Sequence, residues 1–208
     1  MKDMLVLYRL IEEYGYNEPI LLKKVKITEL SQDSVRQAFS RLASKGLLER
    51  FSRGVYYVPT DTPFGKSRLN PKKVYEKMYI RDGENIFGYY TGLTFMNEIG
   101  LTTQVPNLVE IVTNNDRSRG RIADIGYVKV RVRKSEVEVN KENVKTLQFL
   151  DLLRQVRVQD LSEEARDLLK NYVRKQGFKK AEVFSLAKGF SSTVADRLIK
   201  SGLIDELT

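Results

Sequence analysis

The sequence contains no histidine and no cysteine. Their absence excludes nucleophiles activated by histidine, histidine acid–base catalysis, zinc fingers, iron–sulfur clusters and disulfide bonds. A chain without disulfides suits a reducing compartment. Arg9, Glu12 and Glu13 interrupt any signal-peptide core, and no uncharged apolar run approaches the ~20 residues of a transmembrane helix. We therefore expect a soluble, cytoplasmic chain with no membrane partner, no metal and no cofactor.

Positive charge is in excess. Lysine and arginine number 36 against 27 aspartates and glutamates, a formal net charge of +9 over 208 residues. This excess indicates an anionic partner, with nucleic acid first and an anionic membrane second. Hydrophobic residues make up 41% of the chain, which is typical of a globular fold, and the length suits one or two domains.

The first block of the chain begins with an apolar pattern at helical spacing. Helix one is predicted over residues 2–14, and residues 22–30 favour a short second helix followed by a turn. The apolar positions that repeat at helical spacing in helix one are Met4, Leu5, Leu7, Tyr8 and Ile11.

The clearest helix is predicted over residues 31–45, where Ser31 or Asp33 can cap the first turn. Its apolar stripe comprises Val35, Ala38, Phe39 and Leu42. Two strands, predicted over 47–51 and 55–58, follow and are joined by a short basic turn. Helix, short helix, capped helix and hairpin, in this order, are typical of a winged helix-turn-helix.

The outward face of the capped helix is polar and basic. If the apolar stripe faces the core, Gln37, Ser40, Arg41 and Ser44 share the opposite face, and these residue types can hydrogen-bond base edges and phosphates in a major groove. The candidate DNA-binding residues are Ser34, Arg36, Gln37, Ser40, Arg41, Ser44, Lys45, Arg50 and Arg53. Two alternatives are a merely solvated helix face and a winged helix that binds protein.

Three segments of this block carry a family resemblance. They are 35–42 (VRQAFSRL), 45–48 (KGLL) and 53–58 (RGVYYV). This pattern resembles the N-terminal winged helix of the AbiEi-type antitoxins of bacterial type IV toxin–antitoxin systems, which read V-R-Q-A-L-S-R-L, K-G-L-I and R-G-V-Y-Y-V. The resemblance continues at 88–93 (GYYTGL) and 98–106 (EIGLTTQVP), and it covers about residues 20–115.

The remainder of the chain predicts a mixed domain. We expect helices over 72–80, 91–98 and 143–156, and strands over 108–113, 125–132 and 137–139. The turn-rich segment 60–65 (TDTPFG) predicts a linker. We therefore expect an α+β protein with a winged helix-turn-helix domain at 1–62 and an α/β domain at 63–208, whose part from about 157 to 208 is helical.

Two groups of cations in the second domain suggest an additional basic surface. Arg117, Arg119 and Arg121 lie in a predicted loop. Lys129, Arg131 and Arg133 alternate along a predicted strand and share one of its faces. These residues could extend a DNA track or meet an acidic partner, and the alternative is a solvated outer strand.

The sequence does not favour an enzyme. Asp124, Glu136 and Glu138 suggest a metal nuclease, but the lysine that should follow the glutamates in phase is missing. Gly65 and Lys66 lack the upstream glycine of a phosphate-binding loop.

Two functions remain open. The resemblance implies an antitoxin that represses its own operon through operator DNA, with inverted repeats expected, and that counters a nucleotidyltransferase-like toxin without requiring a stable complex. The alternative is a winged-helix transcriptional regulator whose second domain senses a ligand or dimerises and which has no toxin partner.

Overall fold

The computed structural model describes residues 2–208, which form an α+β fold. One compact unit contains the residues up to Lys77 together with Ile125–Tyr127, and the other contains Met78–Asp124 and Val128–Thr208. The α-helices of residues 2–208 are α1 (Lys2–Tyr14), α2 (Gln32–Ser44), α3 (Pro71–Tyr79), α4 (Gly92–Glu98), α5 (Val144–Gln155), α6 (Glu163–Gln176), α7 (Lys180–Ala187) and α8 (Ser192–Lys200). The strands are β1 (Ile20–Leu21), β2 (Glu49–Ser52), β3 (Val55–Tyr57), β4 (Asp61–Thr62), β5 (Gly65–Lys66), β6 (Arg81–Asp82), β7 (Asn85–Ile86), β8 (Gly88–Tyr90), β9 (Val109–Thr113), β10 (Arg121–Ile125) and β11 (Val128–Lys134). No helix of residues 2–208 is both long enough and apolar enough to cross a membrane.

Helix α2 forms where the sequence predicts it. The Ser31 hydroxyl accepts a hydrogen bond from the Ser34 amide at 3.2 Å, which satisfies a free donor of the first turn. The predicted stripe of α2 is fully buried and packs in the core of the first unit with Val6 and Leu10 of α1 and Ile20 of the first strand. The Phe39 ring lies edge-on to Tyr56 with centroids 5.1 Å apart, an arrangement that aromatic pairs prefer.

A three-stranded sheet in the order β1-β3-β2 completes this core. Strands β2 and β3 form the predicted hairpin, with Arg53 and Gly54 in its turn. Gly54 has φ +77°, a left-handed conformation that glycine adopts without steric cost. Strand β1 pairs antiparallel with β3, and a 3₁₀ turn over Leu22–Lys24 replaces the predicted short second helix.

Helix α1 has the predicted bounds. Val6, Leu7 and Leu10 are buried, whereas Met4 and Tyr8 are 41% and 64% exposed. Leu5 is exposed as well, so the apolar residues that predict this helix do not all lie on its buried face. Apolar residues surround more than one side of this helix, and therefore packing against the rest of the unit decides which of them are buried.

The segment predicted as a linker is part of the first unit. Strands β4 and β5 pair antiparallel as a hairpin. Ser67 holds its base, because its amide donates to the Thr60 carbonyl and its hydroxyl accepts from the Thr60 amide, both at 2.9 Å. Leu69 and Val74, further along the chain, are buried. The linker prediction was therefore wrong, because the turn-forming residues turn a hairpin instead of separating two domains.

The second unit contains a four-stranded sheet in the order β10-β11-β9-β8. Strand β11 runs parallel to β9, with Val130 opposite Val109, and β8 runs antiparallel to β9. The strand predicted over 125–132 was wrong at its start, because a turn at Gly126 and Tyr127 separates β10 from β11.

Residues 137–139 are not a strand. The side chain of Asn114 bonds both backbone groups of Val139, donating to its carbonyl at 2.8 Å and accepting from its amide at 2.9 Å. One side-chain amide thus supplies the pairing that a neighbouring strand would otherwise give.

Helices α5 to α8 come after the sheet in the chain and form a helical layer, in which α7 and α8 pack against α5. Leu147, Leu150 and Leu153 of α5 are fully buried. Phe149 stacks on Phe178 with ring centroids 5.0 Å apart. Helices α6, α7 and α8 confirm the prediction that the part of the chain from about residue 157 to 208 is helical.

Candidate nucleic-acid interface

The outward face of α2 carries the predicted polar side chains. Gln37, Ser40 and Ser44 lie opposite the buried stripe and are exposed, and Arg36 and Arg41 flank them on either side. Gln37 and Ser40 make no side-chain hydrogen bond within residues 2–208. Their donors and acceptors are therefore free for an incoming ligand.

Three other polar groups of this face already have partners. The Arg36 guanidinium donates to the Asp33 carboxylate at 3.1 Å, and both side chains are largely exposed. Ser44 donates its hydroxyl to the Arg41 carbonyl at 2.8 Å, one turn back in the helix. Ser34 is half-buried in the first turn of α2, where its hydroxyl lies 2.9 Å from that of the N-cap residue Ser31. Ser34 and Ser44 are thus committed to α2 itself in this structure.

Arg41 pairs with a carboxylate that is distant from it along the chain. Its Nε lies 3.0 Å from both carboxylate oxygens of Asp3 on α1, and its Nη2 lies 2.7 Å from Oδ1. Lys45, just after α2, is 3.8 Å from Oδ2 of the same carboxylate. The hydrogen bonds from Arg41, aided by the charges of Arg41 and Lys45, hold the pKa of Asp3 below its ordinary value of 3.8.

The β2–β3 hairpin presents two arginines. Arg53 lies in the exposed turn, and Arg50 is exposed on β2 opposite Tyr56. Neither makes an ion pair within residues 2–208. The Gly54 carbonyl accepts a hydrogen bond from the Leu22 amide at 3.0 Å, which ties the turn to the 3₁₀ segment. A hairpin with an unpaired arginine in its turn and a second on its strand can contact a phosphate backbone.

The six cations proposed as an additional basic surface do not form one free row. Arg121 is paired with Asp116, with 2.7 Å between Nη2 and Oδ2, and Arg131 donates to Glu110 at 3.1 Å. Arg133 reaches the buried Asp151. Arg117, Arg119 and Lys129 are exposed and make no ion pair within residues 2–208. The strand alternation was correct, because Val130 and Val132 are buried between these cations, but half of the cations are neutralised.

The second unit contains a buried polar network that the sequence did not predict. The Asp151 carboxylate has no exposure, and Arg133 and Arg154 approach its Oδ1 at 2.5 and 3.1 Å. Thr91 donates its hydroxyl to the other oxygen. Burial, together with the nearby negative charge of Asp151, raises the pKa of the Tyr89 hydroxyl. Because every member has a partner, the network stabilises the fold.

Within residues 2–208, no cluster of three or more carboxylates is placed to hold a metal ion. Asp124, Glu136 and Glu138, which suggested a nuclease, do not form such a cluster. Glu136 instead pairs with Arg154 at 2.6 Å.

The model of a family of unknown function (DUF6088) matches residues 17–181, and the chain belongs to this family. The matched range includes α2, the β2–β3 hairpin and the whole four-stranded sheet. A search of curated proteins finds no match.

Proposed function

We propose that the first unit is a winged helix-turn-helix that binds double-stranded DNA. The observation that carries the proposal is the outward face of α2, where Gln37 and Ser40 are exposed with free hydrogen-bonding groups, next in the chain to a hairpin with Arg53 in its turn. Helix α2 enters the major groove, where an amide and a hydroxyl can distinguish base pairs. The β2–β3 hairpin is the wing, and its arginines contact phosphates or the minor groove.

We further propose that the chain is an antitoxin-type regulator. It represses its own operon and counters a nucleotidyltransferase-like toxin through the second unit. The support is the resemblance of residues 35–58 and 88–106 to the AbiEi-type antitoxins. In the second of these segments, the fold requires glycine at position 88, because a side chain there would meet the Tyr79 carbonyl at 2.0 Å.

The DNA-binding proposal is tested with duplexes selected by the full chain from a random 20-base-pair library, and with scrambled duplexes of equal composition. Fluorescence anisotropy should give tighter binding to the selected duplex. The double variant Gln37→Ala/Ser40→Ala should lose that preference while its thermal stability stays unchanged, because both side chains are exposed. An unchanged preference would contradict the assigned face.

A second variant tests whether the preference depends on overall charge by removing two cations of the second unit. Lys175 and Lys179 are exposed, belong to the second unit and make no ion pair within residues 2–208. The variant Lys175→Ala/Lys179→Ala should keep the preference for the selected duplex. If it lost that preference as well, the binding would depend on overall charge rather than on α2.

The antitoxin proposal is tested by expressing the neighbouring gene of the operon from an inducible foreign promoter. Expression of that gene alone should arrest growth, and co-expression of the full chain should restore it. Because the promoter is foreign, transcriptional repression cannot explain the rescue. A harmless neighbouring gene would favour the alternative, a regulator whose second domain senses a ligand or dimerises.

A further inference from the structure

The contact between Asp3 and Arg41 uses one particular edge of the guanidinium group. The carboxylate engages Nε at 3.0 Å and Nη2 at 2.7 Å. A guanidinium has five N–H donors, and this side-on contact occupies the Nε donor and one donor of Nη2. The terminal edge, formed by Nη1 and the second Nη2 donor, makes no hydrogen bond within residues 2–208.

The free edge has the geometry that guanine recognition requires. Arginine reads guanine in the major groove through two parallel N–H donors that meet O6 and N7. The Arg41 side chain is 49% exposed, whereas the Asp3 side chain is 16% exposed and is therefore the fixed side of the pair. Asp3 thus holds the guanidinium plane and leaves its terminal edge without a hydrogen-bond partner within residues 2–208.

We propose that Asp3 is a positioning residue that orients Arg41 for bidentate recognition of one guanine. The inference rests on the proposed DNA-binding function and names the base that α2 reads at this position. An unrestrained arginine samples many rotamers, whereas one fixed by a carboxylate loses little freedom when it binds. The carboxylate also carries a cost, because its negative charge repels the phosphate backbone.

These two effects predict a separation between specific and general binding. If Asp3 orients Arg41, removing its charge weakens the preference for the correct sequence and leaves affinity for unrelated DNA equal or higher. If Asp3 only competes with DNA for Arg41, removing its charge strengthens binding to every sequence and leaves the preference intact.

The test compares the full wild-type chain with Asp3→Asn and with Glu13→Gln. Glu13 lies on the same helix, is exposed and makes no ion pair within residues 2–208, so its variant matches the charge change. The probes are the selected 20-base-pair duplex, its scrambled counterpart and selected duplexes in which one guanine at a time is replaced by 7-deazaguanine, which lacks the N7 acceptor.

For the wild type, one of these replacements should weaken binding about tenfold, within the range for a good bidentate pair. Asp3→Asn should reduce that penalty severalfold and lower the preference for the selected duplex, whereas Glu13→Gln should change neither. Arg41→Ala, which removes every donor of the side chain, should abolish the penalty. Asp3→Asn should then have no further effect on it in the Arg41→Ala background.

The penalty at a single guanine separates positioning from a structural role, because a loss of α1–α2 packing would weaken binding to every probe alike. Circular dichroism establishes that each variant is folded, and if Asp3→Asn is not, Asp3→Glu and Arg41→Ala carry the test. An unchanged guanine penalty in Asp3→Asn would overturn the inference while leaving the DNA-binding proposal intact. A wild-type chain that selects no sequence would overturn both.

Discussion

The guanidinium of Arg133 on β11 lies 2.5 Å from the carboxylate of Asp151 on α5, which has no exposure to solvent. Arg131, two residues earlier on the same face, pairs with Glu110 near the surface at 3.1 Å. The two arginines look equivalent in the sequence, but one completes a buried network and the other does not.

We expect Arg133→Ala to destabilise the chain by about 3 kcal/mol. This is the low end of the range for removing one partner of a buried pair, because Arg154 still contacts Asp151. Arg131→Ala should cost only about 0–1 kcal/mol, as exposed ion pairs do. Urea denaturation of both variants checks the difference, and equal losses would contradict the buried role of Arg133.

We expect Gly88→Ala to be among the most damaging small substitutions. Its Cβ would lie 2.0 Å from the Tyr79 carbonyl and 2.7 Å from that of Val112, both of them backbone atoms that cannot move aside. The cost should reach at least ~3 kcal/mol, the upper end for overpacking. Gly83→Ala is the control, since Gly83 has φ +60° but open space around it, and should cost about 1–2 kcal/mol. Thermal unfolding should rank the two variants in this order.

Arg53→Ala should weaken binding to all DNA sequences about equally. Losing one phosphate contact should reduce the magnitude of the negative slope of log K against log salt by about 0.9. Anisotropy titrations at several salt concentrations measure this, with Lys175→Ala as the control that leaves the slope unchanged. A changed base preference with an unchanged slope would instead make Arg53 a base-reading residue.

The carboxyl group of Asp3 should titrate below 3.8, since its pKa is lowered chiefly by the hydrogen bonds from Arg41. Its contribution to stability is therefore complete above pH 3.8 and is lost as the pH falls through the lowered pKa. In Arg41→Ala, the pKa of Asp3 should rise toward 3.8. Carbon-detected NMR titration of the carboxyl resonances measures the pKa of Asp3 in the wild type and in Arg41→Ala. An Asp3 pKa that does not respond to Arg41→Ala would show that the pair is absent in solution.

A fragment of residues 1–77 should fold and bind DNA, whereas a fragment of residues 1–62 should not unfold cooperatively. The shorter fragment lacks Ser67, whose carbonyl accepts the Tyr57 hydroxyl at 3.0 Å, and it lacks the buried Leu69 and Val74. Circular dichroism and a gel shift on both fragments provide the measurement. The longer fragment should not rescue growth from the neighbouring gene product under a foreign promoter, because it lacks the second unit.

Local patterns predicted α2 and the β2–β3 hairpin well. A serine cap, an apolar stripe at spacings of three and four, and a glycine in a short turn act within a few residues and leave few alternatives. The candidate face of α2 followed directly from that stripe. For α1 the apolar spacing predicted the helix but not which side is buried, because the apolar residues outnumber the positions that one face can bury.

The sequence did not predict the contacts between residues that are distant along the chain. Asp3 and Arg41 are 38 residues apart, and nothing in either local pattern indicates that α1 brings the carboxylate to this arginine. Asp151 resembles any polar residue on a helix until the fold places Arg133 beside it. The turn at Gly126 was missed because the β-branched residues on both sides of it fit one continuous strand as well as two.

The Asp3–Arg41 pair also has a consequence for how DNA affinity could be controlled. The pKa of Asp3 is lowered and that of Arg41 is raised, so each group keeps its charge over a wider pH range. The chain has no histidine, the side chain that ordinarily changes its charge between pH 5 and 8. The pair therefore keeps a constant charge between pH 5 and 8, so under the proposed DNA-binding function this contact does not make affinity depend on pH in that range.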